Sequence, residues 1–153
     1  MKKSIIIVIL TFGVIGLNCC KKSAQPQAVV AGMTYKVDGV TKTATTVNAI
    51  IESFPDSKLL LINGTSLPDG ISMDIQNAGV GTYYNRQSNG QLVSAVYSTG
   101  TDSFLAEIGG SVTITSFTAD NISGTFQFTG TSQISNTSKV ISDGQFNCKV
   151  INR

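Results

Sequence analysis

The stretch Ile71-Ser72-Met73-Asp74-Ile75-Gln76 decides the fold class of this chain. Apolar and polar side chains alternate at every position, which is the period of a β-strand with one face in a core and the other in water. Stretches with similar alternation recur through residues 33–153, with turn signals about every eight to twelve residues. The pattern predicts an all-β domain over residues 33–153.

The same reasoning places further strands on both sides of this stretch. Asp38-Gly39 separates two strands and predicts a two-residue hairpin, because both central residues of a type I′ turn need a positive φ. Residues 58–66 are apolar on both faces, which predicts a central strand, and Asn63-Gly64 within them indicates a bulge or a close approach of backbones. Residues 47–56 fit either a short helix or a loose strand that ends at Pro55.

We therefore expect about 8–10 strands in an antiparallel meander. The other expected strands cover residues 33–37, 40–46, 71–76, 82–84, 92–98, 103–108, 111–118, 122–131 and 144–151. No stretch has the length and period for repeated crossover helices, so an antiparallel arrangement is favoured. Local patterns do not fix closure, and both a barrel and a two-sheet sandwich stay open.

Residues 1–19 have the features of a lipoprotein signal. Two lysines precede a short apolar run that is below the roughly 20 residues needed to span a bilayer, and cysteines follow it. We predict lipidation at Cys20, because Leu17 then stands three places before it and the small Cys19 directly before it. Lipidation at Cys19 is the alternative, with Gly16 and Asn18 at those positions. A secretory signal without lipid would normally end in small residues.

Residues 20–32 comprise the lipidated cysteine and a flexible tether of a dozen residues, which spans roughly 20 Å. Several acyl chains, such as palmitate, would hold the protein firmly, since each buried methylene contributes about 0.8 kcal/mol. The Cys20-Lys21-Lys22 start resembles that of lipoproteins of the Bacteroidota, in which acidic residues after the cysteine accompany export to the surface. Lysines stand there in this chain. The resemblance implies a lipid anchor in the outer membrane, facing the periplasm.

Several segments carry a second resemblance, among them Val-Asp-Gly (37–39), Gly-Val-Gly-Thr-Tyr (79–83), Gly-Ser-Val-Thr-Ile-Thr (110–115), Asn-Ile-Ser-Gly-Thr-Phe-Gln-Phe-Thr-Gly (121–130) and Asp-Gly-Gln-Phe-Asn (143–147). Their order resembles a family of small Bacteroidota lipoproteins of unknown function with an all-β domain. The shared motifs are turns, glycines and apolar alternation, so the resemblance implies a fold and a location but no catalytic residues.

Composition excludes several kinds of chemistry. The chain has no histidine, which rules out Ser-His-Asp and Cys-His catalysis. Once the signal is removed and Cys20 carries lipid, Cys148 is the one remaining thiol, and we expect it to face the core. Without Lys2 and Lys3, nine basic residues balance nine acidic ones, and no basic patch indicates a nucleic-acid partner. We predict no cofactor, no metal site and no enzymatic activity.

The acidic residues offer little support for a catalytic or metal-binding role. Asp38, Asp69, Asp120 and Asp143 are expected in turns, where a carboxylate commonly bonds its own backbone. Asp74 and Glu107 lie on strands and would suit a glycosidase if the fold brought them together. Thr101-Asp102-Ser103 offers too few oxygen ligands for calcium.

The candidate contact surface is Tyr83-Tyr84-Asn85-Arg86. Successive strand residues point to opposite faces, so we expect one tyrosine in the core and the other exposed beside Asn85 and Arg86. We predict an envelope lipoprotein whose β-domain has a non-catalytic binding or architectural role, with an envelope protein or a glycan as partner. The alternatives are a lipocalin-like carrier of a small apolar ligand, which requires an unfilled barrel, and a glycan-active enzyme.

Overall fold

A computed structural model of the protein describes residues 32–85 and 93–153. The described chain forms strands and turns without helices, which confirms the all-β prediction. The eleven strands are β1 Gly32–Val37, β2 Val40–Ala44, β3 Thr46–Ser53, β4 Lys58–Ser66, β5 Asp69–Gln76, β6 Gly81–Tyr84, β7 Val93–Thr99, β8 Asp102–Ala106, β9 Ser111–Phe117, β10 Asn121–Ser132 and β11 Ser138–Asn152.

All eleven strands belong to one sheet, in the order β2-β1-β11-β3-β4-β5-β7-β8-β10-β9-β6. Because β10 also pairs with β11, the seven strands from β11 to β10 close into a ring of hydrogen bonds. The pairs β1–β2 and β6–β9 extend outward from β11 and β10 as two wings. The ring with its wings is not a regular barrel.

The two longest strands, β10 and β11, each have two different neighbours along one edge. The first half of β10 pairs with β9, and its last residues, Gly130 to Ser132, pair with β8. Likewise, β11 pairs first with β1 and then, at residues 150–152, with β3. The β3–β11 pairing is parallel, which the antiparallel prediction missed. Parallel neighbours require a long connection, and the whole chain between β3 and β11 supplies it.

Burial follows the predicted alternation. In β5, Ile71, Met73 and Ile75 are buried, whereas the residues between them are half-buried. In β11, Phe146 and Cys148 face the core as expected. Burial raises the pKa of the Cys148 thiol to about 12, which disfavours the reactive thiolate.

Residues 46–53 form β3 and not a helix, because they pair with β4 along their whole length, from Thr46 opposite Thr65 to Ser53 opposite Lys58. At Gly64 the pairing with β5 continues without a shift, so the predicted bulge is wrong. Side chains, and not another backbone, lie close to this glycine: a Cβ atom on Gly64 would collide with Sδ of Met33 in β1.

The turn assignment of Asp143 and the expected hydrogen-bond partners of Asp38 are corrected by β11, which begins at Ser138, earlier than predicted. Asp143 lies inside this strand with φ 50°, where two β11 residues oppose Gln127 of β10 in a β-bulge. Asp38 does lie in the predicted hairpin turn, at φ 50° beside Gly39 at 83°. Its carboxylate, however, accepts hydrogen bonds from the Val140 N–H at 2.9 Å and Lys139 Nζ at 2.7 Å. It therefore ties the hairpin to β11.

We predict that Gly124→Ala in β10 destabilises the protein by about 2–4 kcal/mol, because the new methyl group overpacks the core. Its Cβ would collide with the Thr113 carbonyl oxygen and lie 2.6 Å from Cζ of Phe146. Urea unfolding provides the measurement. Gly32→Ala is the matched control, because a Cβ there has no neighbour within 4 Å. Equal unfolding midpoints for the two variants would contradict the packing described here.

Candidate functional site

Two of the residues singled out from the sequence, Cys20 and Arg86, lie outside the described residues. The lipid attachment at Cys20 therefore stays a prediction. Within the described chain, the structure shows the surroundings of Tyr83, Tyr84 and Asn85.

The two tyrosines of β6 point to opposite faces, as expected for consecutive strand residues. Tyr83 is buried, and its hydroxyl accepts a hydrogen bond from the Gly79 N–H at 2.7 Å and donates one to the Gly79 carbonyl at 3.0 Å. Tyr84 is 46% exposed. The sequence prediction that one ring is core and the other exposed is confirmed.

Asn85 serves the fold. It is buried, and its Nδ2 donates hydrogen bonds to the carbonyl oxygens of Ala106 and Glu107, the latter at 2.9 Å. Its backbone N–H donates to the Gly110 carbonyl at 2.8 Å. These bonds attach the end of β6 to the turn between β8 and β9. Of the described residues in the predicted contact surface, Tyr84 is the exposed one.

Asp74 lies in β5 as predicted, whereas Glu107 follows the end of β8 and is not a strand residue, and the two carboxylates have different partners. The acidic neighbour that acts on Asp74 is Glu52 of β3: burial first, and then repulsion by Glu52, raise the pKa of Asp74. Glu107 instead accepts a hydrogen bond from Thr131 of β10. Within residues 32–85 and 93–153, no group of three acidic or thiol side chains could hold a metal ion.

The least exposed carboxylate was expected in a turn, but the structure places it in a strand, at a surface depression that Lys42 also lines. Asp69 is the first residue of β5, and it accepts hydrogen bonds from Lys42 Nζ at 2.8 Å and from the Tyr97 hydroxyl at 2.6 Å. Because Lys42 belongs to the β1–β2 wing and Tyr97 to the ring, the carboxylate links the two parts. We refer to these three residues as the Asp69 cluster.

Burial opposes the charge of Asp69, but the hydrogen bonds from Lys42, Tyr97 and Thr99 outweigh it, so the pKa of this carboxyl lies below its ordinary value. Burial, followed by the effect of Asp69, raises the pKa of Tyr97 to about 12. The same two causes raise the pKa of Tyr35 to about 12. The Tyr35 hydroxyl is buried without a hydrogen-bond partner among the described residues. The Asp69 cluster is thus a structural link between the β1–β2 wing and the ring.

The outer surface carries a groove of about 690 Å³, which we call the polar groove. It lies over the outer face of β1, β11, β10 and β9. It is lined by Thr34, Tyr35, Lys36, Thr41, Ser111, Thr113, Thr125, Phe126, Gln127, Asp143, Gly144 and Gln145. Hydroxyl and amide side chains dominate its lining.

Strand register brings these side chains together. One row across the sheet joins Thr34 of β1, Gln145 of β11, Thr125 of β10, Thr113 of β9 and Thr82 of β6, each opposite the next. All of them point away from the core, because they alternate with buried residues. The alternation of each strand marks them as outward-facing, but sequence reasoning missed the groove because the register joins strands that are far apart in the chain.

A second row contains the ion pair between Lys36 Nζ and Asp143 Oδ2, at 2.8 Å. The bulge at Asp143 turns this side chain toward the groove. Gln127 lies opposite Ser111, and Ser111 lies opposite Tyr84. The exposed tyrosine of the predicted contact surface is therefore a cross-strand neighbour of the polar groove.

The fold and the groove define a small all-β domain with a polar outer surface. Residues 30–148 match a family described as "Domain of unknown function (DUF6252)", and the chain belongs to this family. Comparisons with the curated proteins and with the solved structures gave no match. Among the described residues, no helix has the length and apolar character needed to cross a membrane.

We predict that Asp69→Asn lowers the free energy of unfolding near neutral pH by about 2–4 kcal/mol, because the half-buried Lys42 and the buried Tyr97 hydroxyl then lose their charged hydrogen-bond partner. A carboxylate with a lowered pKa stabilises the fold above its ordinary unfolded pKa, near 3.9. That contribution disappears as the pH falls through the lower folded value. The stability gap between wild type and variant should therefore be constant from neutral pH to about pH 5 and should narrow below about pH 4.

Urea unfolding across this pH range measures the gap. The carboxyls of Asp38 and Asp102 also have lowered pKa values, owing first to hydrogen bonds from Lys139 and Ser132. Because Asp38 and Asp102 titrate in both the wild type and the variant, their contributions cancel in the difference between the two free energies of unfolding. That difference therefore reports on Asp69. Asp56→Asn, in an exposed loop, is the control and should unfold like wild type. A gap that does not change in acid would contradict the assigned role.

Proposed function

We propose that this chain is a non-catalytic lipoprotein of the cell envelope whose β-domain binds a partner through the polar groove. The protein would be attached through lipid on Cys20, in the outer membrane and facing the periplasm. The anchor is supported by the short apolar run and the cysteines that end it. The binding role is supported by the groove of about 690 Å³ on the outer face of the sheet.

The outward-facing polar side chains of the polar groove are separate from the core contacts, although Tyr35 and Phe126, which also line it, belong to the core. The groove's outward-facing threonines and glutamines lie on the faces of β1, β9, β10 and β11 opposite the core. Thr34, Thr125, Gln127 and Gln145 are exposed. They can form hydrogen bonds with a ligand without breaking contacts in the core, as a preformed binding site requires.

A non-catalytic role is supported by the way the chain uses its carboxylates. Asp38, Asp69 and Asp143 each form an ion pair with a lysine at 2.7–2.8 Å. Asp102 and Glu107 accept hydrogen bonds from Ser132 and Thr131. Asp143 lines the polar groove and Glu107 lines the adjoining depression. Asp143 is paired with Lys36 and Glu107 accepts a hydrogen bond from Thr131, whereas a glycosidase uses its two carboxyl groups in the reaction.

The packed interior of the domain does not favour the alternative function, a lipocalin-like carrier of a small apolar ligand. Aromatic rings fill the space between the strands, with centroids 5.8–6.4 Å apart among Tyr35, Tyr97, Phe104, Phe126 and Phe146. An apolar pocket of about 130 Å³, lined by Ile51, Lys58, Leu60, Ala78 and Phe117, is smaller than the roughly 300 Å³ at which ligand pockets begin.

The anchor predicts that cells supplied with labelled palmitate label the wild-type protein and not Cys20→Ala, because the acyl chains are attached through this residue. Cys19→Ala should retain the label and serves as the control. Label on Cys20→Ala together with its loss from Cys19→Ala would move the site to Cys19. Label on neither wild type nor variants would overturn the anchor.

The groove predicts that the double variant Thr125→Val with Gln127→Ala loses binding to purified cell-envelope material by about tenfold or more, because two central hydrogen-bonding side chains are removed. Valine keeps the β-branched shape, so the strand should still form. The matched control is Thr65→Val with Gln76→Ala, on the outer side of β4 and β5. Equal binding by both double variants would contradict a role for the polar groove.

A further inference from the structure

We infer that the polar groove binds an uncharged, unbranched glycan that lies along β10. This inference rests on the proposed function and specifies its ligand. Four features of the groove point to this class: its hydrogen-bonding groups, its charge, its exposed aromatic neighbour and its length.

The hydrogen-bonding groups match a polyhydroxylated chain. Threonine and serine hydroxyls and glutamine amides each donate and accept hydrogen bonds, as sugar hydroxyls do. Along β10, the outward-facing Thr125, Gln127 and Thr129 follow one another at about 6.6 Å, the rise of two strand residues, and each presents such groups to a chain that lies along the strand. The hydroxyls of Thr82 and Thr113 bond each other at 2.9 Å, while Thr125 and Gln145 are exposed to a ligand.

The charge of the groove disfavours a polyanion. Its one basic and one acidic side chain, Lys36 and Asp143, form an ion pair with each other at 2.8 Å. A polyanion such as a nucleic acid is held by lysine and arginine side chains that neutralise its phosphates. A groove lined by hydroxyl and amide side chains, in which the two charged side chains neutralise each other, suits an uncharged glycan.

The side chains also differ from those of a protein interface, whose buried centre is apolar and rich in aromatic residues. The outward-facing residues of the polar groove are polar, and its exposed aromatic neighbour, Tyr84, lies at the edge, opposite Ser111. A tyrosine ring presents a flat apolar face together with a polar end. It can stack on the C–H face of a sugar whose hydroxyls bond the neighbouring side chains.

The length of the groove favours a linear chain. A second depression of about 360 Å³ continues along β10 and β11, and Gln127 lines both. Thr129 lies in the floor of this extension, with Ile108 and Val140 also lining it. Glu107 lines it as well and accepts a hydrogen bond from Thr131. From Thr125 to Thr129 the strand advances roughly 13 Å at about 3.3 Å per residue. This length accommodates about three sugar units in a row.

The test is calorimetric titration of the full chain, held in a detergent without sugar groups, with unbranched β-1,4-linked oligosaccharides of glucose, mannose and xylose. At least one series should bind about tenfold more tightly as the trimer or tetramer than as the monosaccharide, with little further gain. Its affinity should change little between low and about 0.5 M salt, because no charge is neutralised on binding.

The double variant Thr125→Val with Gln127→Ala should weaken this binding at least about fivefold, as should Tyr84→Ser. Thr65→Val with Gln76→Ala should bind like wild type. Failure of all three neutral series, or salt-sensitive binding of oligogalacturonate in their place, overturns the inference. If the groove variant nevertheless loses binding to envelope material, the proposed function stands and only its ligand class is wrong. If the groove variant binds envelope material like wild type, both the proposed function and its ligand class are wrong.

Discussion

The structure depends on the two long strands β10 and β11, which must bend so that each serves both the ring and a wing. Glycines make the bend possible. A Cβ on Gly130 would lie 2.7 Å from the Phe104 carbonyl oxygen, and one on Gly144 would lie 2.5 Å from the Phe126 carbonyl oxygen. Because these positions lack side chains, the backbone of Phe104 can approach Gly130 and the ring of Phe126 can cover Gly144, a device that permits strong sheet curvature. Without the bend, β8 could not pair with the end of β10, and β3 could not pair with the end of β11.

The groove and the bend have a common origin. The bulge in β11 at Asp143 gives the strand an extra residue opposite Gln127, and bulges increase the local bend and twist of a strand. The outer face of β1, β11, β10 and β9 then encloses a groove, although its residues are ordinary outward-facing strand positions. A flat sheet with the same sequence would display the same hydroxyls without enclosing any volume.

The Asp69 cluster stabilises the position of the β1–β2 wing. It links the β1–β2 wing to the ring with charged hydrogen bonds at 2.6 and 2.8 Å. Such a bond is expensive to break, because a buried charge is then left without its partner. Tyr35 packs its ring 6.4 Å from that of Tyr97, so apolar and charged contacts join the same two parts. The wing that carries Thr34 and Lys36 is thereby held in place beside β11.

The sequence by itself determined which residues face inward along each strand, because alternation is a local property: Ile71, Met73 and Ile75 are buried as predicted, as are Phe146 and Cys148. It also determined the Asp38-Gly39 hairpin, since that turn needs only two residues with positive φ. Tertiary structure alone decided which strands are neighbours. It placed Asp69 beside Lys42, it paired β3 with β11 in parallel, and it aligned Thr34 with Thr82 across five strands. These contacts join residues far apart in the chain and depend on register and curvature, which no local pattern specifies.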